Sequence, residues 1–228
     1  MTAGTARRSP VVGTAPLGKG SRWALALLMP IGPAAVGVLR YILPYYNADT
    51  APDIATAATA HPGAQSAVLW LGYLAVLTLV PGFLAAAALT RATSPRLTLW
   101  SIGLVVPAYL SMGALLATDQ LLWSGSQAGL SPETVASMLD TPHPTMLISV
   151  GIFVLGHVIG TVLLGVAFLR TRCIPVWAAW AIVVSQPLHF VATVILGSPT
   201  LDLIAWSATA VGMAMAARAL LQEAPGQH

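Results

Sequence analysis

The sequence predicts an all-α fold: a polytopic membrane bundle of six transmembrane helices, both termini cytoplasmic, with one short outer amphipathic helix. Three observations carry this prediction. Hydrophobic residues make up 57% of the 228 and charged residues only 7%, whereas an ordinary soluble domain is roughly a quarter charged. The mean hydropathy of +0.80 assigns most of the chain to lipid. Six apolar stretches, near residues 23–43, 67–89, 97–117, 146–169, 174–196 and 201–217, are each long enough, at about 1.5 Å per residue, to cross a hydrocarbon core of roughly 30 Å.

Taken in order, residues 1–21 are polar and rich in glycine and proline, lack hydrophobic periodicity, and are expected to form a disordered cytoplasmic tail. Arg7-Arg8 invites a twin-arginine export reading, but Ser9-Pro10-Val11 fits it poorly and the apolar run starts only at Trp23. The first span is therefore expected to stay attached as an anchor. The six-helix domain follows over 22–218, its last span the shortest, and 219–228 form a second cytoplasmic tail.

Orientation follows from the basic residues. Arg7, Arg8, Lys19, Arg22, Arg91, Arg96, Arg170, Arg172 and Arg218, nine of the ten Lys and Arg, fall on one side, which the positive-inside rule makes the cytoplasm of a multi-pass inner (cytoplasmic) membrane protein. Asp49, Asp53, Asp119, Glu133, Asp140 and Asp202 fall on the other. The charge of +3 and pI near 9.4 thus orient helices, and no nucleic-acid partner is expected. Cys173, the one cysteine, excludes an intramolecular disulfide, a zinc cluster or a CxxC pair and reads as a small residue near a helix start.

The outer connections, about residues 45–66 and 119–145, are the long ones, a length more often functional or disordered than incidental. The first, from Asn47 to Ile54 and the alanine-threonine run after it, shows little core-forming content. In the second, Ser131-Pro132-Glu133-Thr134 combines an N-cap, a first-turn proline and an acid, and so starts the amphipathic helix. Val135, Met138 and Leu139 are expected on its apolar face, Trp123 anchors at the interface, and the helix lies over the bundle, with a lid as the functional alternative.

Candidate functional residues concentrate in the fourth and fifth spans. His157 and His189 are ionisable groups within apolar runs, where such groups usually face protein or a cavity. Interior prolines stand at Pro30, Pro33, Pro81, Pro107 and Pro187, and Pro187 frees the carbonyl of Val183, which in lipid needs a partner. Ser185, Gln186, His189 and Thr193 form one polar stripe; Gly156, His157, Gly160 and Thr161 form another, with a spacing that allows close helix approach. The simplest packing turns these stripes toward each other, with the histidines about one turn apart in height. The plain reading is neutral imidazoles cementing helices through Thr161, Ser185 or a freed carbonyl. The functional readings are a ligand pocket or proton relay, and bis-histidine haem ligation, which needs facing rings and a cleft.

At the outer rim, Arg40 is the one basic residue on the acidic side, so an acid partner is expected, Asp202 or Asp119, with an anionic ligand as the alternative. Tyr41, Tyr45 and Tyr46 read as an interfacial belt. Pro95, Trp100 and Pro107 recur with the spacing of Pro175, Trp180 and Pro187, which suggests parallel repeated hairpins and sets Tyr109 in the place of His189.

Gly156-His157-Val158-Ile159-Gly160, Leu163-Leu164-Gly165, Arg170, Pro175-Val176-Trp177-Ala178 and Pro187-Leu188-His189 together resemble small six-helix membrane proteins of high-GC, actinobacterial-type bacteria, a family catalogued as a domain of unknown function. The resemblance covers mainly the fourth and fifth spans. It implies a fold and a compartment and no activity.

No His-Glu-x-x-His zinc site, paired-carboxylate diphosphate site, glycine-rich phosphate loop or intramembrane serine elbow occurs; no metal site or cofactor is assigned. Two readings stand. One is a non-enzymatic protein whose outward-opening cluster, with His157, Gln186, His189, Arg40, Tyr109, Asp119 and Asp202 as candidate ligand contacts, binds or passes a small lipophilic or weakly basic molecule. Its partners are then the lipid bilayer, that ligand and, as an open alternative, a second copy in a homo-oligomer. The other is an intramembrane enzyme or redox protein: haem on the histidines, or a terpene-cyclase-like reaction using Asp49, Asp119 or Asp202 as acid.

Overall fold

The computed structural model describes residues 18–222, in which every regular element is helical. Six elements are long and apolar enough to span a membrane: α1 (Lys19–Ile42), α3 (Pro62–Ala88), α4 (Pro95–Gln127), α6 (Pro144–Thr171), α7 (Val176–Phe190) continued by a π-helical turn (Val191–Ile195), and α8 (Pro199–Gln222). Two short helices, α2 (Ala51–Ala60) and α5 (Pro132–Leu139), occupy the long connections at the acidic end.

Proline sets where these helices start. Pro62, Pro95, Pro132, Pro144 and Pro199 open α3, α4, α5, α6 and α8, Pro52 lies in the first turn of α2, and Pro175 caps α7. A first-turn proline lacks an N–H that the helix would leave unbonded anyway, and its fixed φ is already helical. At its far end α4 stops where Gly129 takes φ +70°. The Gly129 N–H then bonds the Ser126 carbonyl and the Leu130 N–H the Gly125 carbonyl, which closes the last turn.

The spans form a ring in chain order, each packed on its neighbours, with α8 closing onto α1. Arg22 at the start of α1 donates to the Leu220 carbonyl at the end of α8, and Arg40 at the end of α1 meets Asp202 at the start of α8. The two helices are therefore antiparallel. Backbones come close where side chains are missing: a Cβ at Gly82 would stand 2.7 Å from the Leu28 carbonyl oxygen, and one at Gly156 2.6 Å from that of Leu104. Such seams are held by van der Waals packing, because lipid is as apolar as the side chains it would replace. Trp70, Leu99 and Leu147 point outward, exposed as a lipid-facing surface requires.

Several expectations are corrected. Residues 19–21 and 219–222, read as tail, belong to α1 and α8; the rest of both tails, with the export reading of Arg7-Arg8, lies outside the described residues. The last span, read as the shortest, has 24 residues, and α4 runs 33 residues to Gln127. Asp119 and Trp123 are thus inside a helix that continues beyond the expected boundary. The first outer connection does have core-forming content. Thr50 Oγ1 accepts from the Asp53 N–H at 3.3 Å and starts α2; Ala55 and Ala58 then pack with Leu122, Val135 and Ala136 in a second small core. In α5, Ala136 takes the inward position expected of Met138, which is exposed.

Candidate functional site

A cavity of about 350 Å³ opens in the acidic half of the ring, at the small end of the roughly 300–1,000 Å³ usual for ligand pockets. Its walls are apolar for most of their area, with Leu39, Met112, Leu116, Phe153 and Val158 among the lining residues. Its polar groups are Arg40, Tyr45, Thr118, Asp119, His157, His189 and Thr193.

Beside this cavity Asp202, fully buried, collects four donors. Oδ2 accepts from Arg40 Nε at 2.9 Å, Tyr46 O–H at 2.9 Å and Thr193 O–H at 3.3 Å, and Oδ1 lies 2.5 Å from His189 Nδ1. Four donors on one carboxylate are what burial of an ion pair requires. They join α1, the connection after it, α7 with its π turn, and α8. The Arg40 guanidinium also sits 4.5 Å from the centre of the Tyr46 ring, a cation–π contact. Trp206 Nε1 comes within 3.2 Å of the same His189 Nδ1. Nδ1 cannot donate to Asp202 and accept from Trp206 at once; the shorter contact to a carboxylate wins, and Nδ1 carries the proton.

His157 is 1% exposed and has a different arrangement. Nδ1 stands 2.5 Å from the Phe153 carbonyl oxygen of its own helix. A carbonyl only accepts, so Nδ1 is the donor, and in the neutral ring Nε2 is left as an acceptor. Nε2 is buried and has no hydrogen-bond partner among the described residues. The ring stacks with Phe153 at 4.4 Å and Trp206 at 5.9 Å between centroids, and meets His189 at 5.5 Å with the planes tilted 58°. The two imidazoles therefore touch within an aromatic cluster. They do not face one another across the cleft that a porphyrin would need.

Asp119, 7% exposed, is the second buried acid. Tyr45 O–H and Gln65 Nε2, the latter at 3.1 Å, donate to its Oδ1. Both donors are neutral, and Arg40 donates instead to Asp202 and, at 3.5 Å, to Thr193 Oγ1. Burial first, then the neighbouring Asp119 carboxylate, pushes the Tyr45 phenol well above its ordinary range, so the hydroxyl keeps its proton and donates. Tyr46 is raised too, chiefly by burial.

The sequence-derived candidates separate into two groups. Arg40, Asp119, His157 and His189 line the cavity, and Asp202 lies directly behind it. Gln186 does not line it: fully buried, it donates to Thr209 Oγ1 at 3.0 Å, while Thr209 donates to Ser185 Oγ at 2.7 Å. Its half of the expected stripe therefore serves the α7–α8 seam. Tyr109 lies in a separate small void with Thr161, Leu164 and Thr209 and does not take the part of His189. Nor do Gly156 and Gly160 face α7; Leu104, Val105 and Ala108 of α4 fill the space against them. Thr161, expected as a histidine partner, forms no hydrogen bond to either ring among the described residues.

Tyr45 and Tyr46, assigned to an interfacial belt, turn inward to the acids. Trp206 and Gln65 join the site without being among the sequence-derived candidates. The signals were a tryptophan four residues after Asp202, on the same helix face, and a glutamine at the start of an apolar run. The π turn, where the Leu196 N–H bonds the Val191 carbonyl and the Ser198 N–H that of Ala192, has no signal in the sequence beyond the nearby Pro187.

Fold and site together define a six-span helical membrane protein with a mostly apolar, acid-flanked cavity in one half of its ring. No protein-family model, curated protein or solved structure matches the chain. Its chemistry is therefore read from its own geometry.

Proposed function

We propose that this is a non-enzymatic protein of the cytoplasmic membrane that binds, or passes, a small lipophilic weak base in the acidic-end cavity. The observation that carries this reading is the unpartnered Nε2 of His157 in a residue that lines the cavity. A buried acceptor without a donor costs about 1–3 kcal/mol; Nε2 has almost no open surface, so a ligand N–H reaches it, and removes that cost, as the ring turns toward the bound head group. Asp119, held by neutral donors, gives the cavity a carboxyl that accepts from a donating basic head group and has no such use for an acidic one. The resemblance to six-helix bacterial membrane proteins agrees with the compartment and adds no activity.

The test is thermal stability in detergent with dodecylamine, dodecanol and dodecane, three probes that share a chain and differ in the head. Dodecylamine is expected to stabilise most, by about 2.7 kcal/mol at roughly a hundredfold excess over Kd, and His157→Phe to weaken the response about tenfold. Equal responses to all three, or an unchanged response in the variant, would sink the proposal. We place the basic end in the cytoplasm by the positive-inside rule. A cysteine at Ser131 should then react with an impermeant label added outside intact cells and one at Arg96 should not; the reverse pattern inverts the orientation.

A further inference from the structure

We infer that the cavity is loaded sideways from the lipid phase, through the acidic half of the seam between α6 and the π turn, and that its ligand class is the single-chain amphiphile with an amine head. This rests on the reading above and adds to it a route and a molecular shape. The head group is held inside the ring, and the chain trails out through the seam into the bilayer.

Exposure marks the opening. Val158 of α6, Phe190 of α7 and Val194 of the π turn all line the cavity, yet Phe190 is 43% and Val194 63% exposed. A side chain that borders a cavity and is also open to the outside stands at the rim of an opening. All three are apolar, so the opening matches a hydrocarbon chain and not a hydrated solute.

The polar ties run through other seams. The α7–α8 seam is bonded by Gln186 to Thr209, by Thr209 to Ser185, and by His189 and Thr193 to Asp202. The α4–α6 seam is tied by Ser101 O–H to the Gly160 carbonyl at 2.6 Å. At the mouth, Tyr45 and Gln65 both donate to Asp119 and latch α3, α4 and the connection after α1. Among the described residues no side-chain hydrogen bond joins α6 to α7 or to the π turn. The basic half of that seam is closed by backbone approach, since a Cβ at Gly165 would stand 2.9 Å from the Val183 nitrogen. In the acidic half, beyond the His157–His189 ring contact, neither a side-chain hydrogen bond nor a close approach at a glycine ties α6 to the π turn among the described residues.

The π turn sets the seam's outer lip. A π turn carries one residue more than the α-helical turn it replaces, and here it is fixed on the α8 side, through Thr193 to Asp202. The next residue, Val194, lines the cavity and is exposed. A gap of this kind needs no rearrangement of the Asp202 network to admit a chain.

The test uses the full protein in phosphatidylcholine vesicles and a dodecylamine analogue with a photoactivatable diazirine at mid-chain. Labelled residues are mapped by mass spectrometry, with excess dodecylamine as competitor. Labelling that the competitor removes is expected on α6 near Val158 and on the π turn near Val194. Val194→Trp on the π turn and Val154→Trp on α6, both at residues that line the cavity, should each reduce it about tenfold while the protein stays monodisperse with a Tm close to that of the unmodified chain. Competable labelling confined to mouth residues such as Leu43 and Met146 in the unmodified protein, a readout that needs no variant, overturns the sideways route. So does competable seam labelling unchanged in a folded variant. In both cases the amine site survives. If no labelling is competed anywhere, the amine-binding reading itself fails, and the route with it.

Discussion

At the scale of single residues, the cavity's polar groups differ in how fully they are bonded. Asp202 is satisfied by four donors, and His189 is committed to it. His157 is not satisfied, because its one N–H is spent on its own helix. Tyr45 shows how such bonding reaches stability. Its phenol is raised above the ordinary value of 10.0, so the folded protein holds a proton that the unfolded chain loses. That contribution is fully present below the ordinary value and is lost as pH rises beyond it toward the folded value. Thermal stability should therefore fall along an alkaline limb starting near pH 10.0, and Tyr45→Phe should flatten that limb in a pH series of melting curves. An unchanged limb would mean that another group titrates there.

At the scale of elements, the spans were largely legible because their composition leaves no other solvent for them, and first-turn prolines mark their starts. Boundaries were less so. The apolar pattern fades at the membrane surface while a helix need not stop there, as α4 shows by running on to Gln127 under α2 and α5. Thr50-Ala51-Pro52-Asp53 carries the same start chemistry as Ser131-Pro132-Glu133, and α2 could have been read from it. Which face meets which helix was not legible. The Gly156 and Gly160 pair specifies close approach without naming the partner, and the partner is α4. Gly156→Ala should accordingly drive a methyl group into the Leu104 carbonyl and cost about 1–3 kcal/mol. Gly103→Ala, where nothing lies within 4 Å, should be close to neutral. Equal Tm values for the two variants would contradict the packing.

For the whole molecule, the charge pattern that separates a basic from an acidic end also separates two interiors. The basic half of the ring is packed with small residues and large apolar side chains, with Ala86, Ala179 and Phe168 fully buried. The acidic half holds the cavity and both buried acids. That His157 and His189 would meet was readable from helical spacing and height, and Arg40 with Asp202 from the misplaced charge. That Gln186 and Tyr109 would be elsewhere was not, because rotation about a helix axis is set by neighbours that a single sequence does not name. The central claim is that the acidic-half cavity is a binding site whose acceptor is His157. Its most direct test is a crystal structure of the protein grown with a dodecylamine brominated near the head, read by the anomalous signal of bromine. A bromine peak is expected inside the ring, beside Phe153 and Met112, with the amine nitrogen within hydrogen-bond distance of His157 Nε2. Bromine found only on the outer, lipid-facing surface, with the cavity empty of the amine, would contradict it.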